Sequence, residues 1–189
     1  MPDEKNISTE TANVPLMAPL RSFNEQQDEL LVATERVLKS GGWVYGSEGN
    51  ALEQELASYF GTEKVAVNNS GTDSLLLSLQ ALGVKPGDEV ITPAFSFFAS
   101  ASVIRICGAV PIFCDVDDRT FNIDPVAVES AITPKTVGIV AVHLYGLPAA
   151  IPKLMEIAEK HGIFLLEDSC QAIGASINGK KVGGFGDLS

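Results

Sequence analysis

The chain has 189 residues, enough for one domain with a full core, and its 46% hydrophobic and 20% charged residues exclude a disordered or fibrous protein. A formal net charge of −11, with 13 basic residues that form no dense cluster, excludes a nucleic-acid backbone as a partner. No apolar run is long enough to span a membrane, and the charged opening Met1-Pro2-Asp3-Glu4-Lys5 sets the expectation of no secretory signal.

Residues 1–13 are polar and are expected to form a disordered tail. An N-terminal helical segment is expected over residues 14–63. Asn24 stands before Glu25-Gln26-Gln27-Asp28, and apolar residues recur at Leu30, Leu31, Val37 and Leu38, which predicts a capped amphipathic helix ending at Lys39 before Gly41-Gly42. A glycine-flanked loop, Trp43-Val44-Tyr45-Gly46-Ser47, leads to a second predicted helix over residues 51–60, closed by Gly61.

Residues 64–189 are expected to form an incomplete α/β domain. Short apolar runs rich in β-branched residues alternate there with helical stretches, the pattern of crossover units and a mainly parallel sheet flanked by helices. The predicted strands are 65–67, 89–92, 110–113, 137–142 and 163–166, and the predicted helices are 72–82, 96–106, 124–132 and 149–161. Asn178-Gly179, between Ala175-Ser176-Ile177 and Lys180-Lys181-Val182, suits the φ > 0 turn of a hairpin. The chain stops at Gly186-Asp187-Leu188-Ser189, where such a pattern enters a further strand, so a truncation is expected. Cys107, Cys114 and Cys170 are odd in number and lack the spacing of a zinc or dithiol site; they read as buried reduced thiols, which favours the cytoplasm and leaves no metal site.

Three segments converge on the C-terminal edge of the predicted sheet, the edge at which open α/β sheets bind ligands. The first, Asn68-Asn69-Ser70-Gly71-Thr72-Asp73, runs from a strand into a helix. Unpaired N–H groups and the helix dipole there suit an anion, Gly71 permits close approach, and the Thr72 hydroxyl can donate. The plain alternative is a helix capped by Thr72 or Ser70. In the second, Asp168 follows the strand 163–166, where its carboxylate could face a protonated ring nitrogen and Gln171 could reach a neighbouring ring hydroxyl. Alternatively Asp168 caps a turn. The third, Pro93-Ala94-Phe95-Ser96-Phe97-Phe98, carries three aromatics, one able to stack on a planar cofactor while the others enter the core. His143 ends a strand and is either an acid, base or donor, or a satisfied structural histidine. His161, at a helix C-terminus, takes no catalytic role.

Asn69-Ser70-Gly71-Thr72-Asp73-Ser74-Leu75, Pro86-Gly87-Asp88-Glu89-Val90, Pro93 through Phe97, Asn122-Ile123-Asp124-Pro125, His143-Leu144-Tyr145-Gly146, Glu167-Asp168 with Gln171, and Gly184-Phe185-Gly186-Asp187 together resemble the DegT/DnrJ/EryC1/StrS aminotransferases over residues 20–189. The resemblance implies a pyridoxal-phosphate (PLP) enzyme of fold type I, its large domain truncated here. It implies amino transfer from glutamate or glutamine to a nucleotide-linked keto sugar, within nucleotide-sugar metabolism and polysaccharide biosynthesis, by a homodimer. Gly71 and Thr72 would then hold the cofactor phosphate, Phe97 would stack on the ring, Asp168 would pair with the pyridinium nitrogen, and Gln171 would bond the ring hydroxyl. The Schiff-base lysine of these enzymes lies a few residues after the turn matching residues 184–187, hence beyond Ser189. Lys180 and Lys181 precede that turn and do not match it, so the chain as given contains no catalytic residue and is expected to be inactive. In dimers of this kind the loop with Trp43 and Tyr45 would help to wall the substrate site. Two alternatives remain open: a PLP-dependent sugar dehydratase of the same family, with histidine at the lysine position, and a non-catalytic cofactor-binding module.

Overall fold

The computed structural model describes residue 15 and residues 17–189. The tail expected over residues 1–13 lies outside the described residues. The described residues divide into two compact units between Asn50 and Ala51.

In the first unit, helix α1 spans Pro19–Ser40. It begins five residues before the predicted cap at Asn24, because Pro19 starts it with the φ that a first helical turn requires and no free N–H to satisfy. Gly41 ends it in the left-handed conformation at φ 66°, and Arg36 makes a two-pronged ion pair with Glu48 at 2.8 and 2.9 Å. Helix α2, Ser47–Phe60, starts in this unit and crosses the division.

The second unit holds a four-stranded sheet in the order β2-β1-β3-β4, every pairing parallel: β1 Glu89–Pro93, β2 Val110–Cys114, β3 Thr136–Val142 and β4 Phe164–Asp168. Helix α3 Gly71–Ala81 precedes β1, and helices α4 Ala99–Ile106, α5 Pro125–Ala131 and α6 Ile151–His161 make the three connections between strands. Successive strand residues point to opposite faces, so each strand feeds two cores. Ile91, Ile139, Ala141 and Leu165 pack with Val128 of α5 and Ile151, Leu154 and Ile157 of α6. Their strand neighbours Val90, Val140 and Leu166 pack with Leu75 and Leu79 of α3 and Val103 and Ile104 of α4. Past β4, Ser176–Ile177 (β5) and Lys180–Lys181 (β6) form the expected hairpin, with Asn178 and Gly179 at φ 51° and 83°. Leu188 bridges Leu166 in parallel, so the last residues run alongside β4 as the sequence pattern anticipates.

Two expectations fail. Residues 65–67 are not a strand: they find no ladder partner among the described residues, and the Val67 N–H donates instead to Glu53 Oε1 at 2.9 Å. Helix α4 starts at Ala99 rather than Ser96, which leaves residues 94–98 irregular.

Candidate functional site

All five residues singled out from the sequence, Gly71, Thr72, Phe97, Asp168 and Gln171, line one cleft of about 220 Å³ at the C-terminal edge of the sheet, together with Leu75, Val142 and Cys170. The topology brings them together. Parallel strands all release their chains at this edge, which brings the start of α4 and the end of β4 together; α3, which precedes β1, joins them by packing Leu75 and Leu79 on Val90, Val140 and Leu166.

At the start of α3, Ser70 is the cap: its Oγ accepts the Asp73 N–H at 3.1 Å and its carbonyl accepts the Ser74 N–H at 2.9 Å. The Ser74 bond is the first of the helix itself; of the four orphan donors, the Asp73 N–H is met by Ser70 and the Ser70 N–H by Asn68 Oδ1 at 3.3 Å, leaving the N–H groups of Gly71 and Thr72 as the donors presented at the cleft. The Thr72 hydroxyl is not used as the cap. Gly71 has no room for a side chain, since a Cβ there would lie 2.6 Å from Cys170 Sγ.

Cys170 corrects the expectation of three buried thiols: Cys114 is buried and Cys107 intermediate, but Cys170 is exposed as a residue. Its sulfur nonetheless sits against Gly71. Burial of that sulfur, and next the Asp168 carboxylate, push the thiol up to about 11, so it stands there protonated at neutral pH.

Asp168, the last residue of β4, is 9% exposed; its Oδ1 accepts the Cys170 N–H at 3.2 Å, so it does cap the following turn while lining the cleft. The orientation of Gln171 is set by Tyr145, whose N–H donates to Gln171 Oε1 at 2.7 Å. A backbone amide only donates, so the oxygen of this carboxamide is committed and its NH₂ group is the end left for another partner. Tyr145 holds that position in a left-handed conformation at φ 54°, uncommon for a side-chain-bearing residue.

The aromatic segment departs from expectation. Phe97 is 60% exposed and lines the cleft, but Phe95 and Phe98 are exposed as well, so none of the three enters the core. The irregular run before α4 is the reason, because only within the helix would such spacing turn a ring inward. Phe97 and Phe98 pack on each other at 4.7 Å, and Phe95 packs on Phe121 at 5.8 Å.

His143 is fully buried and satisfied at both ring nitrogens, by the Ala149 N–H at 3.0 Å and Glu167 Oε2 at 3.1 Å, which makes it a structural histidine. His161 lies on the outside in a surface ion cluster with Glu129. Glu167 is the residue the sequence reading passed over. It is 1% exposed and accepts four bonds, from His143 and from the N–H groups of Gly183 (3.0 Å), Phe185 (2.7 Å) and Gly186 (2.7 Å). The sequence offered one signal: a glutamate continuing the apolar run Leu165-Leu166 must be buried, and a buried carboxylate requires several donors. Burial pulls the Glu167 carboxyl upward, but the His143 bond and the three backbone donors outweigh it and hold it below the ordinary range.

The model of the DegT/DnrJ/EryC1/StrS aminotransferase family matches residues 24–189. The chain belongs to that family. It is 44% identical over 180 residues to the UDP-N-acetyl-3-dehydro-alpha-D-glucosamine 3-aminotransferase of Acidithiobacillus ferrooxidans, covering 95% of this chain and 49% of the relative. With the UDP-2-acetamido-2-deoxy-3-oxo-D-glucuronate aminotransferase of Pseudomonas aeruginosa it shares 43% identity, over 82% of this chain and 43% of the relative. Among solved structures it is similar to DesV of S. venezuelae in complex with a ketimine intermediate, with TM-score 0.87, 39% identity, and coverage of 90% of this chain and 46% of that one. Its similarity to NtdA of Bacillus subtilis with bound cofactor PMP has TM-score 0.84 and 37% identity, covering 93% of this chain and 41% of that one. The fold is therefore that of the fold type I large domain, and the chain spans about half the length of the curated relatives it matches.

Proposed function

We propose that this DegT/DnrJ/EryC1/StrS chain supplies the PLP-binding part of an aminotransferase that moves an amino group from glutamate or glutamine to a nucleotide-linked keto sugar. The convergence of Gly71, Thr72, Phe97, Asp168 and Gln171 on one cleft carries the reading. Sugar aminotransferases among its relatives support the substrate class, and structures of relatives with PLP or PMP support the cofactor.

The donor set fits the phosphate, the ring nitrogen and the ring oxygen of PLP. The Gly71 and Thr72 N–H groups and the Thr72 hydroxyl would hold the phosphate at the positive end of α3. Asp168 keeps a proton on the ring nitrogen, its carboxylate placed by the Cys170 N–H and sheltered at the cleft wall. Gln171 directs its NH₂ group to the ring oxygen, its own oxygen being tied to Tyr145. Phe97 would offer its face to the ring, and Leu75 and Val142 would supply apolar lining that excludes water. When bound, PLP supplies the electron sink that lets a proton leave the carbon bearing the amine. The lysine that anchors it is expected after Ser189, so residues 1–189 alone would retain PLP weakly and turn over no substrate.

A cytoplasmic homodimer completes the proposal. No described helix is long and apolar enough to cross a membrane. The division into a helical segment over 14–63 and an α/β region over 64–189 stands as part of the same reading. The test is PLP titration of the product of the uninterrupted reading frame, with amino transfer to UDP- and dTDP-linked keto sugars assayed alongside. Binding that Asp168→Ala abolishes supports the reading; absence of PLP binding by the unsubstituted protein overturns it.

A further inference from the structure

Glu167 and His143 are ionisable and buried, yet neither lines the cleft. Their hydrogen bonds allow one arrangement. The Ala149 N–H must donate to His143 Nδ1, so the ring carries its proton on Nε2 and gives it to Glu167 Oε2. The histidine is thereby a fixed strut that holds the carboxylate from one side. From the other side the carboxylate gathers the N–H groups of Gly183, Phe185 and Gly186, which shapes the turn after the β5–β6 hairpin.

The chain leaving that turn is fastened to β4 residue by residue. The Leu165 N–H donates to Asp187 Oδ2 at 2.8 Å, the Asp187 N–H to the Leu165 carbonyl at 2.8 Å, and the Glu167 N–H to the Leu188 carbonyl at 3.0 Å. Gly186 runs so close to β4 that a Cβ would collide with the Leu165 carbonyl. At the end of this path the Ser189 hydroxyl donates to Ser169 Oγ at 3.2 Å, beside the residue that follows Asp168.

We infer that Glu167 is a positioning residue of the cofactor site: by collecting His143 and the turn 183–186 on one carboxylate, it fixes the path of residues 183–189 along β4 and brings Ser189 to the flank of Asp168. The inference rests on the proposed function, because the chain so delivered is the stretch from which the cofactor-anchoring lysine is expected to follow. It assigns Glu167 a task separate from that of Asp168. Asp168 faces the cofactor, whereas Glu167 acts through the backbone of the turn.

Two variants disturb this junction from different sides. Glu167→Gln places an NH₂ group among donors, and His143 cannot compensate by shifting its proton because Nδ1 is taken by Ala149. Gly183→Ala keeps both the Glu167 and His143 side chains and acts on the turn, where its Cβ would press on Ser189 Oγ at 3.1 Å and Ser169 Oγ at 3.3 Å from a backbone at φ +84°. Ile157→Val, in the α6 core, serves as a control for general destabilisation. In the product of the uninterrupted reading frame, each variant is titrated with PLP, and the visible absorbance of the bound cofactor is followed against pH, with far-UV circular dichroism and thermal melting in parallel. Both junction variants are expected to weaken PLP retention about tenfold and to displace the pH profile of the absorbance, with helix content unchanged, while the control keeps the unsubstituted values. If Glu167→Gln does not fold, Gly183→Ala alone decides. Unsubstituted retention and pH profile in the junction variants overturn the inference, as does an equal loss in the control. An unsubstituted protein that binds no PLP overturns the functional reading itself, an outcome distinct from these.

Discussion

Two carboxylates stand next to each other at the end of β4 and serve opposite sides of the sheet. Strand alternation sends Glu167 to the face of α5 and α6 and Asp168 to the face of α3 and α4, continuing the division that Leu165 and Leu166 begin. On the first face the carboxylate meets four donors and is saturated; on the second it accepts the Cys170 N–H and opens on the cleft. A saturated buried carboxylate organises the backbone around it, whereas one with remaining capacity at a cleft is available to a ligand. Adjacent acidic residues are thus told apart by the number of donors each has met, not by residue type.

The strongest way to break this contrast is to remove the saturated member. Glu167→Ala strands the buried His143 Nε2–H and takes the acceptor from three part-buried backbone N–H groups, and the expected loss is about 3–5 kcal/mol of unfolding free energy, read from denaturant midpoints. A loss under about 1 kcal/mol would mean that water replaces the carboxylate and that the network is not structural. Asp168→Asn sharpens the other side. Folding stability should change by less than about 1 kcal/mol, while PLP retention falls about tenfold or more, as expected when a charge-assisted bond of about 1.5–3 kcal/mol is removed. Equal losses in stability and retention would erase the distinction between the two residues.

A smaller effect follows from acidity. The folded Glu167 carboxyl is held below its ordinary value of 4.5, so its contribution to stability is present above that pH and is lost as pH falls through the lower folded value. Unfolding free energy measured from about pH 5 downward through the acid range should therefore fall less steeply in Glu167→Gln than in the unsubstituted protein. Matching slopes would remove Glu167 from the acid response. The smallest expected effect is at Cys170: with its thiol at about 11, alkylation should be slow at neutral pH and accelerate toward that value, and bound PLP should slow it further. Rapid alkylation at neutral pH would show that the sulfur is not held against Gly71 as described.

Much of this arrangement was legible in the sequence because it is local. The strands β1 to β4, the helix starting at Gly71, the Asn178-Gly179 turn and the gathering of five residues at one sheet edge follow from hydrophobic runs, caps and turn residues. What escaped depends on partners distant in the chain. Val65-Ala66-Val67 has the composition of a strand, but a strand also requires a ladder, and none of the described residues supplies one. Phe95 and Phe98 carry the composition of a core, but α4 begins after them. The task of Glu167 was invisible for the same reason, since His143 and the turn 183–186 lie 24 and 16–19 residues away and meet it only in the folded sheet.

The parallel sheet has a further consequence for how the protein assembles. Gly71 stands ahead of β1, Phe97 in the connection from β1 to β2, and Asp168 at the end of β4, and they meet once β1, β3 and β4 lie side by side. Such pairings close long loops and are slow to form. A ligand that requires all three residues at once therefore recognises only chains whose sheet has formed, and in a refolding experiment its uptake is expected to follow sheet assembly rather than precede it.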